Sequence, residues 1–183
     1  LFDAAMASYR ERGIRLLAIL CYGSPWASGG DAPSDDAARE AFGEFVFRMV
    51  ERYKDSVGAW EIWNEPDILP FWSPRPGAAD YTALLKVAHR RAREADPGAV
   101  IVAGALALPT EDFLREMYAN GAKGAFDILS FHGYGQASGD FDYAVIARRL
   151  REQLRRHGDD KPIWLTETGV YTGPAGVSDA EQA

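Results

Sequence analysis

Trp60-Glu61-Ile62-Trp63-Asn64-Glu65-Pro66-Asp67 decides how this chain is read. Trp60, Ile62 and Trp63, following Gly58, predict a buried strand, and the Asn64-Glu65 pair ahead of Pro66 ends that strand in a turn. A carboxylate at the end of a buried strand is a candidate acid. A second stretch, Pro162-Ile163-Trp164-Leu165-Thr166-Glu167-Thr168-Gly169, has the same form: an apolar strand closing on a glutamate at a glycine turn.

Outward from these two strands, helix and strand patterns alternate. Ala4 to Arg12 predicts a helix that stops at Gly13, and Ile14 to Cys21, interrupted only by Arg15, predicts a strand of a parallel sheet. Asp35 or Asp36 caps a helix in which Ala38, Phe42, Phe45, Val46, Met49, Val50 and Tyr53 recur at helical spacing. Asp80 is expected to cap the next helix, through Tyr81, Leu84, Leu85 and Ala88, before a strand over Ala99 to Gly104. A helix from Thr110 to Asn120, a strand from Phe126 to Phe131, a helix from Phe141 to His157 and a strand from Pro162 to Thr166 complete the pattern.

Such alternation defines the α/β class, with a parallel sheet covered by helices, either doubly wound or closed as a (β/α)8 TIM barrel. Polar residues at the C-terminal ends of several strands favour the barrel, as does the absence of a glycine-rich phosphate loop after any strand. A whole barrel takes about 250 residues. At 183 residues, this chain reads as a single partial domain over residues 1–183, with an N-terminus that begins mid-helix at Leu1.

The chain is 47% hydrophobic and 26% charged, enough for one sizeable core. Its net charge of -7 argues against a nucleic-acid partner, and Arg148, Arg149, Arg151, Arg155 and Arg156 read as a solvated helix face. Cys21, the one cysteine, allows neither an internal disulfide nor a cysteine-built zinc site. No apolar run approaches the roughly 20 residues of a membrane span. Compartment and oligomeric state stay open.

Glu65 and Glu167 lie three strand-helix units apart, which places them across the pocket from each other in an eight-stranded ring. Paired carboxyl groups cleave glycosidic bonds, at a separation of about 5 to 5.5 Å in retaining enzymes and about 6.5 to 9.5 Å in inverting ones. Ser130, His132 and Tyr134 alternate, so His132 and Tyr134 project to the same side of their strand. Asn64 and Glu65 are adjacent and both enter the pocket only if the strand bends at its end; otherwise Asn64 caps the turn. Glu61 falls on the face of Glu65 but deeper, where a charge needs a partner, and Arg15 on the neighbouring strand is the expected one. Tyr22, Trp26, Phe71, Trp72 and Tyr171 follow strand ends as candidate sugar platforms, whereas Trp60 and Trp164, mid-strand, are expected in the core. No paired-histidine motif points to a metal.

Trp63-Asn64-Glu65-Pro66 together with Thr166-Glu167-Thr168-Gly169 resembles the retaining glycoside hydrolases of clan A, which are (β/α)8 barrels. The resemblance implies that the chain supplies about strands three to seven. It implies Glu65 as general acid/base, Glu167 as nucleophile, Asn64 as the ligand of the hydroxyl beside the reacting carbon and Tyr134 as a hydrogen-bond donor to Glu167. It implies a carbohydrate substrate and no cofactor. Tyr22-Gly23-Ser24-Pro25-Trp26 and Phe71-Trp72-Ser73-Pro74 look most like the family of β-xylosidases, α-L-iduronidases and bacterial exopolysaccharide hydrolases, with cellulase-type families next. The competing expectation is a barrel that binds carbohydrate without cleaving it, or a truncated pseudo-enzyme.

Overall fold

The computed structural model describes residues 2–134, 142–169, 172 and 178. Five strands, β1 (Leu16–Leu20), β2 (Val57–Ile62), β3 (Ile101–Leu106), β4 (Ile128–Gly133) and β5 (Ile163–Thr168), pair in parallel in chain order. The helices are α1 (Phe2–Glu11), α2 (Pro25–Ser28), α3 (Asp36–Tyr53), α4 (Ala78–Ala95), α5 (Glu111–Ala119) and α6 (Tyr143–Arg156). Parallel neighbours need a crossover, and each crossover here carries a helix that covers the sheet. The short helix α2, between β1 and α3, is the one element the hydrophobic pattern does not signal.

Alternation along each strand divides the core into two layers. Outward, Trp60, Ile62, Leu106 and Phe131 pack with Val46 and Val50 of α3, Leu84 and Leu85 of α4, Leu114 of α5 and Leu154 of α6. Inward, Ala59, Val102 and Ile128 form a separate cluster joined by Leu17 and Val100. The sheet curls, and one contact shows the curl directly. Thr166 of β5 hydrogen-bonds Glu61 of β2 at 3.0 Å although the two strands are not neighbours in the sheet.

Caps follow the sequence in part. Asp35 accepts from the Ala38 amide at 2.8 Å, Thr110 accepts from that of Phe113 at 3.3 Å, and Asp142 caps α6. Asp80 does not cap α4. Gly77 holds that position, and Asp80, in the first turn, instead pairs with Arg39 of α3 at 2.8 Å. Helices α3 and α4 meet at Gly43, where a β-carbon would come within 2.7 Å of Val87 Cγ1. Trp60 is buried as expected, but Trp164 is 39% exposed. It borders an inner-face cavity with Leu17 and Ala59, because β5 is an edge strand of this sheet. No described helix is long and apolar enough to cross a membrane.

Tyr81 of α4 ties two strand ends together: its buried hydroxyl accepts from the Gly104 amide at 2.9 Å and donates to the Ile62 carbonyl at 3.0 Å. Gly104 is obligatory there, since its φ is 116° and a β-carbon would meet the Ser130 carbonyl oxygen at 2.5 Å. Tyr81→Phe leaves a buried donor and a buried acceptor unpaired, and the expected loss is about 1–3 kcal/mol of stability. Urea denaturation of the full-length protein measures it; a change below a few tenths would show that these groups find other partners.

Candidate active site

The C-terminal ends of β1, β2 and β3 are distorted together. Tyr22, Trp63, Glu65 and Ala105 are the described non-glycine residues with positive φ, at 72°, 70°, 46° and 44°. Such conformations cost on the order of 1–3 kcal/mol each and persist where the surroundings hold them. Here they are held by hydrogen bonds. The Trp63 amide donates to the Leu20 carbonyl at 2.8 Å and the Glu65 amide to the Ala105 carbonyl at 3.1 Å. The Ser130 hydroxyl accepts from the Ala105 amide at 2.8 Å, bridging the bulge in β3. Asp67 accepts from the amides of Ala107 and Leu108 at 3.0 and 2.7 Å, pinning the loop after β2 to the one after β3. Burial pushes the Asp67 carboxyl up, and those two amide bonds oppose the shift.

This bend carries the Asn64-Glu65 pair out of strict alternation. Both residues are buried, and the Asn64 amide makes no side-chain hydrogen bond among the described residues, so it does not cap the turn. A second irregularity, between Phe131 and His132 where β4 meets β5, sets His132 opposite Glu167. His132 Nδ1 lies 2.9 Å from Glu65 Oε1 and 3.6 Å from Glu167 Oε2. Tyr134 donates its hydroxyl to Glu167 Oε2 at 2.8 Å. That bond, ahead of burial, raises the tyrosine pKa and keeps it a donor. One oxygen each of Glu65 and Glu167 and a ring nitrogen of His132 all lie within 4.8 Å of one another.

Glu65, Glu167, His132 and Tyr134 therefore converge, while the aromatic candidates divide. Tyr22 is 56% exposed, stands edge-on to Trp63 at 6.1 Å, and has its pKa raised by burial and by the charges of Cys21, Glu167 and Glu65. Trp26, on α2, instead borders an apolar cavity of about 290 Å³ with Tyr22, Phe42 and Phe45, and neither carboxylate lines it. Trp72 is corrected from the expected sugar platform to core. It is 1% exposed and packs edge-on against Trp63 at 5.3 Å and Tyr81 at 5.9 Å, because its loop folds back under the turn and the Phe71 carbonyl accepts from Trp63 Nε1. Tyr171 lies outside the described residues.

Glu61 corrects a second expectation. Its partner is Thr166, not Arg15, whose guanidinium lies beside Gly58 at the other end of the sheet. Cys21, directly after β1, is the neighbour that sequence reasoning passed over; its thiol senses the charges of Glu61 and Glu167. The cluster of Glu65, His132 and Glu167 also has the donor set for a divalent cation, and no other such cluster occurs among the described residues.

No family model matches the sequence. Solved structures do match in three dimensions. A glucosidase from Croceicoccus marinus superimposes with a TM-score of 0.75 at 21% identity over 97% of this chain and 39% of its own. A family 39 glycoside hydrolase from Bacteroides cellulosilyticus gives 0.70 at 21% over 92% and 38%. A β-xylosidase from Caulobacter crescentus gives 0.57 at 22% over 79% and 34%. The fold is that of a (β/α)8 barrel. The chain supplies five consecutive parallel strands of it, curled as a half-barrel, and spans less than two fifths of the length of each of these structures.

Burial, followed by the charges of Glu61 and Glu167, pushes the Cys21 thiol up to about 11. Only the thiolate is alkylated, so at pH 8 Cys21 should react about 10²-fold more slowly than a free thiol. The shape of the profile separates ionisation from access: the iodoacetamide rate should still be rising at pH 10. A plateau near pH 9 would place the thiol outside this electrostatic environment.

Proposed function

We propose that the protein is a retaining glycoside hydrolase in which Glu65 is the general acid/base and Glu167 the nucleophile. The observation that carries this is the approach of the two carboxylates, with oxygens within 4.8 Å. Oxygens this close put both carboxyl groups within reach of one sugar ring, which supports the direct attack of a retaining enzyme, whose carboxyl groups stand about 5 to 5.5 Å apart. The likeness in fold to a glucosidase and a β-xylosidase supports a carbohydrate substrate.

In the first step a Glu167 oxygen bonds the anomeric carbon while the bond to the leaving oxygen breaks and Glu65 gives that oxygen its proton. In the second, ionised Glu65 takes a proton from water, whose oxygen displaces Glu167 from the anomeric carbon and regenerates both groups. Tyr134 engages Glu167 Oε2 and orients the nucleophile. His132 engages Glu65 Oε1 through Nδ1 and stands 3.6 Å from Glu167 Oε2, between the two carboxylates. Asn64, whose amide makes no hydrogen bond among the described residues, donates to the hydroxyl next to the reacting carbon, a bond that strengthens as charge develops there. Tyr22, exposed at the rim, offers a ring to a sugar face.

Aryl β-xylosides and β-glucosides test this in the full-length protein. Glu167→Ala should abolish turnover. Glu65→Ala should lose about 10²–10⁴-fold on substrates with poor leaving groups and far less on activated ones, because only the former need the proton. Turnover that survives both substitutions would end the assignment, and sugar binding by calorimetry without hydrolysis would favour a non-catalytic barrel. EDTA should leave the rate unchanged; its loss on chelation, restored by a divalent cation, would transfer the cluster to metal chemistry.

A further inference from the structure

We propose that Glu61 and Thr166 form a strut across the barrel that holds the ends of β2 and β5 at the separation their two catalytic glutamates require. The proposal rests on the hydrolase reading and adds to it a positioning pair one layer below the chemistry. Glu61 follows inward-facing Ala59 by two residues and precedes Glu65 by four, so it occupies the layer between the apolar inner cluster and the catalytic groups. It is fully buried. Thr166 Oγ1 donates to its Oε1 at 3.0 Å, and Thr166 is joined by one peptide bond to Glu167.

Among the described residues, two links cross between β2 and β5 near the site. The upper one runs from Glu65 through His132 to Glu167, and its members exchange protons or partners in each catalytic cycle. The lower one, Glu61 to Thr166, takes part in no step. A spacing that must survive the rearrangement of the upper link is set by the lower.

The surroundings define the chemical state of the strut. Facing Glu61 are Cys21 from the end of β1, Ser130 and His132 from β4, and Thr166 and Glu167 from β5, while its register partner on β3 is Val102. Arg15 lies beside Gly58, and no lysine or arginine among the described residues figures in the electrostatics of the Glu61 carboxyl. Its Oε2 is buried and has no hydrogen-bond partner among the described residues. An ionised carboxylate in that position bears a charge with no cationic partner and repels Glu167, which disfavours ionisation. Burial raises the Glu61 pKa, and the Ser130 and Thr166 hydroxyls offset part of the rise. Glu61 accepts through Oε1, and its burial favours the neutral form, which spares Glu167 a second anion beneath it.

The test uses the full-length protein and three substitutions. Glu61→Gln keeps the Oε1 acceptor and the neutral charge and should retain kcat. Glu61→Leu and Thr166→Val remove the bond at similar volume and should each lower kcat by about 10²-fold at little change in KM, the cost of a displaced reacting group. The double variant should be no worse than either single one, because both break the same link. Unchanged kcat in Glu61→Leu and Thr166→Val, multiplied losses in the double variant, or a loss in Glu61→Gln as large as in Glu61→Leu would overturn the strut.

Thermal melting supplies a readout independent of turnover. For an acid whose pKa is raised by folding, stability is fully present below the unfolded value, about pH 4, and is lost as pH rises above it. The Tm of the parent should therefore fall relative to Glu61→Gln as pH increases from 4 to 8; parallel curves would contradict a raised Glu61 pKa. Should the full-length protein turn over no glycoside, the hydrolase reading falls and the strut is judged by melting alone. Coupled losses of Tm in Glu61→Leu and Thr166→Val would support it, and additive ones would overturn it.

Discussion

A parallel sheet brings its second and fifth strands face to face only by curling, and everything at this site depends on that curl. Outward positions carry Trp60, Ile62, Leu106 and Phe131, packed against α3, α4, α5 and α6, and Ala59, Val102 and Ile128 occupy the inner face. Twist bends such a sheet further in the same sense. The result is that Glu61 meets Thr166 at 3.0 Å across the concave side, with the two carboxylates directly above them.

Curling brings strands together but cannot place two adjacent residues on one side of a strand. That falls to the turns with positive φ at Trp63 and Glu65 and to the irregular registers in β3 and β5. Each distortion would be unfavourable in isolation. Backbone bonds to Leu20 and Ala105, the Ser130 bridge, the Asp67 clamp and the Trp63 indole bond to Phe71 offset the strain before any ligand arrives. Preorganisation of this kind lets donors act on developing charge without rearranging during the reaction.

The order of strands and helices was legible in the sequence because apolar runs and helical periodicity depend on local burial alone. The bend at Asn64-Glu65 was legible too, as a conflict between alternation and chemistry, and so was the Tyr134 bond to Glu167, through resemblance. The misread residues share one feature: each depends on what lies opposite. Alternation shows that Glu61 faces inward but not which strand curls over it, so the nearby Arg15 was chosen over Thr166 from the far side. Trp72 carries the composition of a sugar platform, yet its loop doubles back beneath Trp63. Trp164 reads as core, but it lies on an edge strand with its ring at a half-open cavity. The link from His132 to Glu65 has no sequence signature beyond two polar residues at strand ends.

Covalent trapping tests the paired-carboxylate chemistry most directly. The full-length protein is incubated with a 2-deoxy-2-fluoro glycoside bearing a good leaving group, then digested and analysed by peptide mass spectrometry. The fluorine slows both steps and the good leaving group restores the first, so the glycosyl-enzyme accumulates. A glycosyl ester on Glu167 is predicted. An ester on Glu65 or any other residue, or brisk hydrolysis of the parent glycoside with no adduct formed, would contradict it.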